Sequence, residues 1–148
     1  MEWMLMPYRR YADFNGRSRR KEYWMFALLM LIVYAVLASL MLAGGLTSVF
    51  GGADAAPSFG PMFWLGAVLF GVFALATFIP AIAVTVRRLH DRDLSGWWYL
   101  GVVIGGAIPM VGPLISIGFL VFMCLQGTPG PNRFGPDPKD PANADVFA

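Results

Sequence analysis

His90 and Asp91 stand side by side, preceded by Arg87 and Arg88 and followed by Arg92 and Asp93. A histidine beside a carboxylate is a pairing used by general bases and metal ligands. Ser95 follows, at a spacing that matches no hydrolase pattern. His90 is the single histidine and Cys124 the single cysteine. A multi-histidine metal cluster, a cysteine zinc site and an internal disulfide framework are therefore excluded. The carboxylates close to this stretch in membrane context are Glu22, Asp91 and Asp93. Membrane phosphatases and phospholipid-synthesising transferases carry larger Asp or His/Arg/Lys sets. The set of nucleophile, base and orienter is not filled. The sequence thus predicts no catalytic residue, no metal, no cofactor and no enzyme. Cys124 lies in an apolar run and reads as a buried small hydrophobe.

A second polar stretch runs Phe14-Asn15-Gly16-Arg17-Ser18-Arg19-Arg20-Lys21-Glu22-Tyr23-Trp24. Asn15-Gly16 is a turn signal. Ser18 suits the N-cap of a helix, and Glu22 would sit near the positive end of its dipole. Such a block can act as an anionic-lipid clamp or a docking surface, or serve only to set topology. In the other stretch, a continuing helix would make Arg87 and Asp91 an i,i+4 pair. Ser95-Gly96 suits the start of a further helix, with Trp97, Trp98 and Tyr99 as its interfacial belt. Glu22 is the natural partner of Arg87 or Arg88. Asp91 and Asp93 are placed to meet Arg17, Arg19 or Arg133. The two stretches are expected to form one polar cap.

The elements that must hold this cap are apolar. Of 148 residues, 57% are hydrophobic and only 14% charged, with a net charge of +2. Soluble domains run at roughly 45–50% and about 25%, so the balance points to a membrane protein of one domain. No ionisable Asp, Glu, Lys, Arg or His falls between Glu22 and Asp54, between Asp54 and Arg87, or between Asp93 and Arg133. Crossing a hydrocarbon core of ~30 Å takes about 20 helical residues. A first span is predicted from Tyr23 to about Ala43, closed by Gly44 and Gly45, as an uncleaved signal anchor rather than a shorter cleaved signal. A second runs from about Met62 to Val86, with a kink near Thr77 to Pro80. Trp97 to Gln126 is broken by Pro109, Gly112 and Pro113. It makes either a helical hairpin, the preferred reading, or one kinked third span. The fold class is all-α and multi-pass. Residues 1–22 form a basic interfacial segment, 23–126 the transmembrane domain and 127–148 a Pro/Gly-rich, non-helical tail.

Residues 1–22 carry six Arg/Lys, the loop from Gly44 to Pro61 none, and the loop at 87–93 Arg87, Arg88 and Arg92. Basic loops stay cytoplasmic, so the N-terminus is expected inside and the Gly-rich loop outside. Small residues recur at packing distance: Ala35, Ser39 and Ala43; Ala67 and Gly71; Gly101 and Gly105. They favour close helix approach. No ionisable residue lies inside a span to mark a solute path, which counts against a monomeric transporter.

Three motifs in order give the chain a resemblance. These are Gly16-Arg17-Ser18-Arg19-Arg20 leading to Glu22-Tyr23-Trp24, then Arg87-Arg88-Leu89-His90-Asp91 with Ser95-Gly96-Trp97-Trp98, and Asn132-Arg133-Phe134-Gly135-Pro136-Asp137-Pro138. The chain resembles the "domain of unknown function 805" family of small bacterial inner-membrane proteins over most of residues 13–138. Lys21 is a charge-preserving departure. The resemblance implies a multi-pass plasma-membrane protein and suggests that the three motifs form one assembly. It carries no activity. The expected function is a non-enzymatic accessory or scaffold subunit whose cap contacts a partner or anionic phospholipid. The alternative is an oligomeric transporter or channel component, as a homo-oligomer. No nucleic-acid partner is expected.

Overall fold

The computed structural model describes residues 2–50 and 59–140. It is all-helical among those residues: α1 Glu2–Arg9, α2 Arg20–Phe50, α3 Pro61–His90, α4 Trp97–Gly106 and α5 Gly112–Cys124. The tip of the expected outer loop, 51–58, and the end of the tail, 141–148, lie outside the described residues. The chain divides into two compact units. One holds the chain up to Phe26 and from Pro80 onward; the other is Ala27–Ile79.

The second unit is a pair of apolar helical segments. Arg20–Gly45 and Pro61–His90 are long enough to cross a bilayer, with mean hydropathies of 2.6 and 2.4. Only 6% of the first of these stretches is buried in the protein. The core helix of a soluble protein would hide its apolar side chains; here Leu31, Val36, Leu42, Val68, Val72 and Leu75 face outward. That much uncovered apolar surface is stable against lipid, not water. The segments run antiparallel. Tyr34 packs on Phe70 and Phe73, and its hydroxyl lies 3.1 Å from Thr77 Oγ1. Met41 lies against Gly66, and Gly44 against Met62 and Phe63.

One expectation is refined here and one corrected. Gly44 and Gly45 close the apolar span but not the helix, because α2 runs on to Phe50. Gly44 instead permits close packing: a Cβ there would come 2.7 Å from the Met62 carbonyl carbon and 2.8 Å from Phe63 Cα. The spaced small residues mostly do not mediate contact either. Ala35, Ser39 and Ala43 are exposed, Ala67 is half-buried, and a Cβ at Gly71 or Gly101 would meet nothing. Of that set only Gly105, against Ile115, is a tight approach. In the second unit the close approaches fall at Gly44 and Gly66, where helix crossing rather than spacing sets the need.

In the first unit, residues 97–126 form the hairpin. Tyr99 packs on Phe119 and Gly105 on Ile115, so α4 and α5 run antiparallel. Neither helix is long enough to cross a bilayer upright at ~1.5 Å per residue. The turn between them is closed by Gly112 N–H donating to Ile108 O at 2.8 Å. Met110 takes the left-handed conformation there. Phe26, Ala83, Val84, Leu89 and Met123 are the buried apolar core of this unit. Tyr8 of α1 packs edge-on against Phe26 at 5.6 Å. Helix α1 departs from the sequence expectation, in which residues 1–22 form a basic interfacial segment with no helix assigned.

Candidate functional site

The polar side chains of the first unit are gathered and buried. Arg17, Ser18, Glu22, Arg87, Arg88 and Asp91 are all at most 3% exposed, a depth charged groups reach only when paired. Helix α3 delivers three of them. Arg87 and Arg88 lie in its last turn, where cations suit the negative end of the dipole, and Asp91 follows directly after its end. The helix then stops with Asp93 in the left-handed conformation. Asp93 N–H donates to His90 O and Leu94 N–H to Leu89 O, a Schellman closure.

Asp91 lies between two guanidinium groups. Arg17 Nε donates to Oδ1 at 3.0 Å, and Arg88 Nη1 donates to Oδ2. Arg17 also donates through Nη1 to Gly130 O at 2.6 Å and through Nη2 to Thr128 O at 2.5 Å. Thr128 in turn donates its N–H and hydroxyl to Asp91 O, at 2.9 and 3.1 Å. Two cations around one carboxylate leave a positive excess, and backbone carbonyls absorb it. Four successive carbonyls at the end of α5 each accept from an arginine: Met123 and Leu125 from Arg88, Cys124 from Arg20, Gln126 from Arg92. A helix end leaves such acceptors unsatisfied and partly negative. The cluster therefore closes the base of the hairpin.

A second pair sits alongside. Arg87 Nη2 donates to Glu22 Oε1 at 3.0 Å, and Ser18 N–H donates to Arg87 O at 3.1 Å. Nε and Nη1 of Arg87 have no hydrogen-bond partner among the described residues. The expected Arg87–Asp91 pair is thus corrected: Arg87 turns to Glu22, and the i,i+3 neighbour Arg88 takes Asp91. Ser18 is not the N-cap. Helix α2 begins one residue later, with Tyr23 N–H donating to Arg19 O, and the Ser18 hydroxyl faces the Arg19 carbonyl instead. Cys124 is exposed rather than buried, since the buried side of α5 there is given to Met123.

His90 does not work with Asp91. Its Nδ1 lies 3.2 Å from Gly16 O, and its ring stacks on Phe134 at 3.9 Å between centroids. Its carbonyl accepts from Asn132 Nδ2 at 2.9 Å, which folds the tail back onto the end of α3. Arg133 reaches Asp93, donating to its carbonyl at 2.7 Å with Nε 3.2 Å from Oδ1. Asp137 accepts from the N–H groups of Gly130 and Lys139, at 3.0 and 2.9 Å. Burial pushes the Asp137 carboxyl up, but these donors and nearby Arg17 and Lys139 outweigh it and hold it below the usual range. Asp13 is also lowered. Its burial is outweighed by the Arg10 guanidinium, 2.6 Å away, and by Asn15 N–H.

The other predicted residues lie around the cluster. Arg19 and Lys21 sit over the Trp3 ring, and Tyr23 packs edge-on against Trp24. Ser95 and Gly96 form the loop into α4; a Cβ at Gly96 would crowd Val86 at 2.6 Å. Trp97 and Trp98 point outward, 79% and 61% exposed. Gly127 and Thr128 were missed. A Cβ at Gly127 would lie 2.5 Å from Asp91 Cγ, and nothing in a Gly/Pro-rich tail marks such an approach beforehand. Among the described residues no group of His, Cys, Asp and Glu is arranged to hold a metal.

The family model described as a protein of unknown function (DUF805) matches residues 11–136, a range that takes in every member of the cluster. The chain is 43% identical over 139 residues to the inner membrane protein YhaH of Escherichia coli K12, covering 94% of this chain and 98% of that one. It is 39% identical over 143 residues to the inner membrane protein YhaI of the same organism, covering 97% and 100%. A shorter likeness, 33% over 79 residues, links it to the uncharacterized protein YiiR, covering 41% and 54%. No solved structure matches.

Proposed function

The chain belongs to the DUF805 family and is a helical protein of the inner membrane, and from that premise we propose that it is a non-enzymatic accessory or scaffold subunit. Its polar cap lies on the cytoplasmic side, N-terminus inside, and contacts a membrane partner or anionic lipid. The observation that carries this reading is the use to which the buried charges are put. Arg17, Arg88 and Asp91 direct their polar atoms at one another and at the backbone of α5 and the tail. Groups held in this way fix a shape; they are not presented to a substrate. What the cap offers outward is Arg9, Lys21, Trp24, Trp97 and Trp98, all exposed. Aromatic and basic side chains of this kind suit a bilayer interface or a partner's acidic surface.

Purification of the tagged chain from its native membrane in mild detergent tests the reading. A hetero-complex of fixed stoichiometry that is lost when Trp97 and Trp98 are both replaced by Ala supports it. Recovery as a homo-oligomer alone, with solute flux after reconstitution, rejects it in favour of a pore.

A further inference from the structure

A groove of ≈ 400 Å³ lies between α4, α5 and the end of α3. Leu94, Trp98 and Val102 form one wall; Ile115, Phe119 and Phe122 form the other. The volume falls within the range of sites that hold small molecules. None of its lining residues is charged. Gly118 sits among the α5 residues that line it, and a Cβ there would meet nothing within 4 Å.

One charge lies beside this groove. The Arg92 guanidinium lies over the Phe122 ring, 4.9 Å from its centroid, and donates through Nη1 to Gln126 O. Its Nε and Nη2 make no hydrogen bond among the described residues. Both neighbouring carboxylates are turned elsewhere, Asp91 to Arg17 and Arg88, Asp93 to Arg133. A half-exposed guanidinium without a carboxylate thus stands over Phe122, a residue that lines the apolar trough together with the exposed Trp98. Arg presents a fork of donors that matches a phosphate. An apolar trough leading to one such fork has the polarity of a lipid: acyl chain along the helices, headgroup at the interface.

We propose that this groove holds an acyl chain of an anionic phospholipid whose phosphate is bound by Arg92. The inference deepens the lipid contact proposed for the cap by giving it a place, and it rests on that reading. An apolar helix of a partner would fill the same trough but would leave the free donors of Arg92 facing nothing. The charge therefore selects the lipid.

Native mass spectrometry of the full chain in mild detergent, titrated with phosphatidylglycerol or with phosphatidylethanolamine, tests this. Phosphatidylglycerol is expected to be retained preferentially. Arg92→Gln should weaken that retention about five-fold, the effect of one basic residue at an anionic surface, and Arg92→Lys should restore most of it. Gly118→Leu should fill the trough and reduce retention without lowering the Tm. Glycerol phosphate, which has the headgroup and no chain, should not compete. Retention that survives both Arg92→Gln and Gly118→Leu overturns this site while leaving lipid contact by the rest of the cap standing. No preference for the anionic lipid in the parent chain overturns the lipid contact as a whole. A second copy or a co-purified protein lost with Gly118→Leu, with lipid retention unchanged, shows the trough to be a protein interface and overturns the proposal.

Discussion

Arg87 and Glu22 meet at 3.0 Å across 65 residues of sequence, both side chains at most 1% exposed. The pair joins the first turn of α2 to the last turn of α3 within one compact unit. A buried ion pair is a modest source of net stability, because desolvation offsets much of the attraction. Removing one partner is another matter, since it strands a charge.

Glu22→Leu alone should lower stability by roughly 3–5 kcal/mol, and Glu22→Leu with Arg87→Met should recover most of that loss. Thermal unfolding in detergent reads both. A double variant no more stable than the single one would show that Arg87 draws its compensation from groups other than Glu22.

Gly127→Ala should be costly although the residue lies in the tail. The new Cβ would stand 2.8 Å from Asp91 Oδ1, and Asp91 is held on both sides by arginines. Overpacking of this kind costs about 1–3 kcal/mol. The change should also raise proteolytic cleavage around Thr128, and an unaltered digestion pattern would count against the contact.

Gly44 and Gly71 make a matched comparison. Gly44→Ala sets a Cβ against the backbone of Met62 and Phe63 and should destabilise, whereas a Cβ at Gly71 meets open space. Gly71→Ala should be neutral or stabilising by up to ~1 kcal/mol, the difference in helix propensity. Equal Tm values for the two variants would contradict the packing of the second unit.

Acid should loosen the turn that Asp137 closes within the tail. The folded Asp137 carboxyl lies below its usual range, so its contribution is present above the unfolded value and is lost as pH falls through the folded one. The protection of the Gly130 and Lys139 amides, whose N–H groups Asp137 accepts, measured against their intrinsic exchange rates, should fall below about pH 4. In Asp137→Asn that step should be absent.

Reporter fusions to each end check orientation. The base of the hairpin brings the chain after α5 back beside the end of α3, so both termini should report from the cytoplasm. A C-terminal fusion active only outside would contradict the topology.

What the amino-acid order determined alone is where the chain meets oil. Three uncharged intervals and the Arg-rich blocks at residues 9–21 and 87–92 are local facts, and the cost of a charge in hydrocarbon makes them decisive. The choice of partners within the cap was partly legible in the same way. Glu22 lies at the same membrane face as Arg87 and Arg88, which made one of them its natural partner. Only the tertiary structure decided which one, because a rotation of ~100° per residue on α3 sends Arg87 and Arg88 to different sides. That the tail returns was legible through Arg133, expected to meet Asp91 or Asp93 and found on Asp93, but the fold alone decided most of what holds it. Its hold is made by backbone carbonyls at Met123, Leu125, Thr128 and Gly130, and every residue type carries a carbonyl, so no side-chain pattern could announce them. The place of Gly44 is the same kind of fact. A glycine reads as a stop along the chain, and only a second helix crossing against it turns it into a contact.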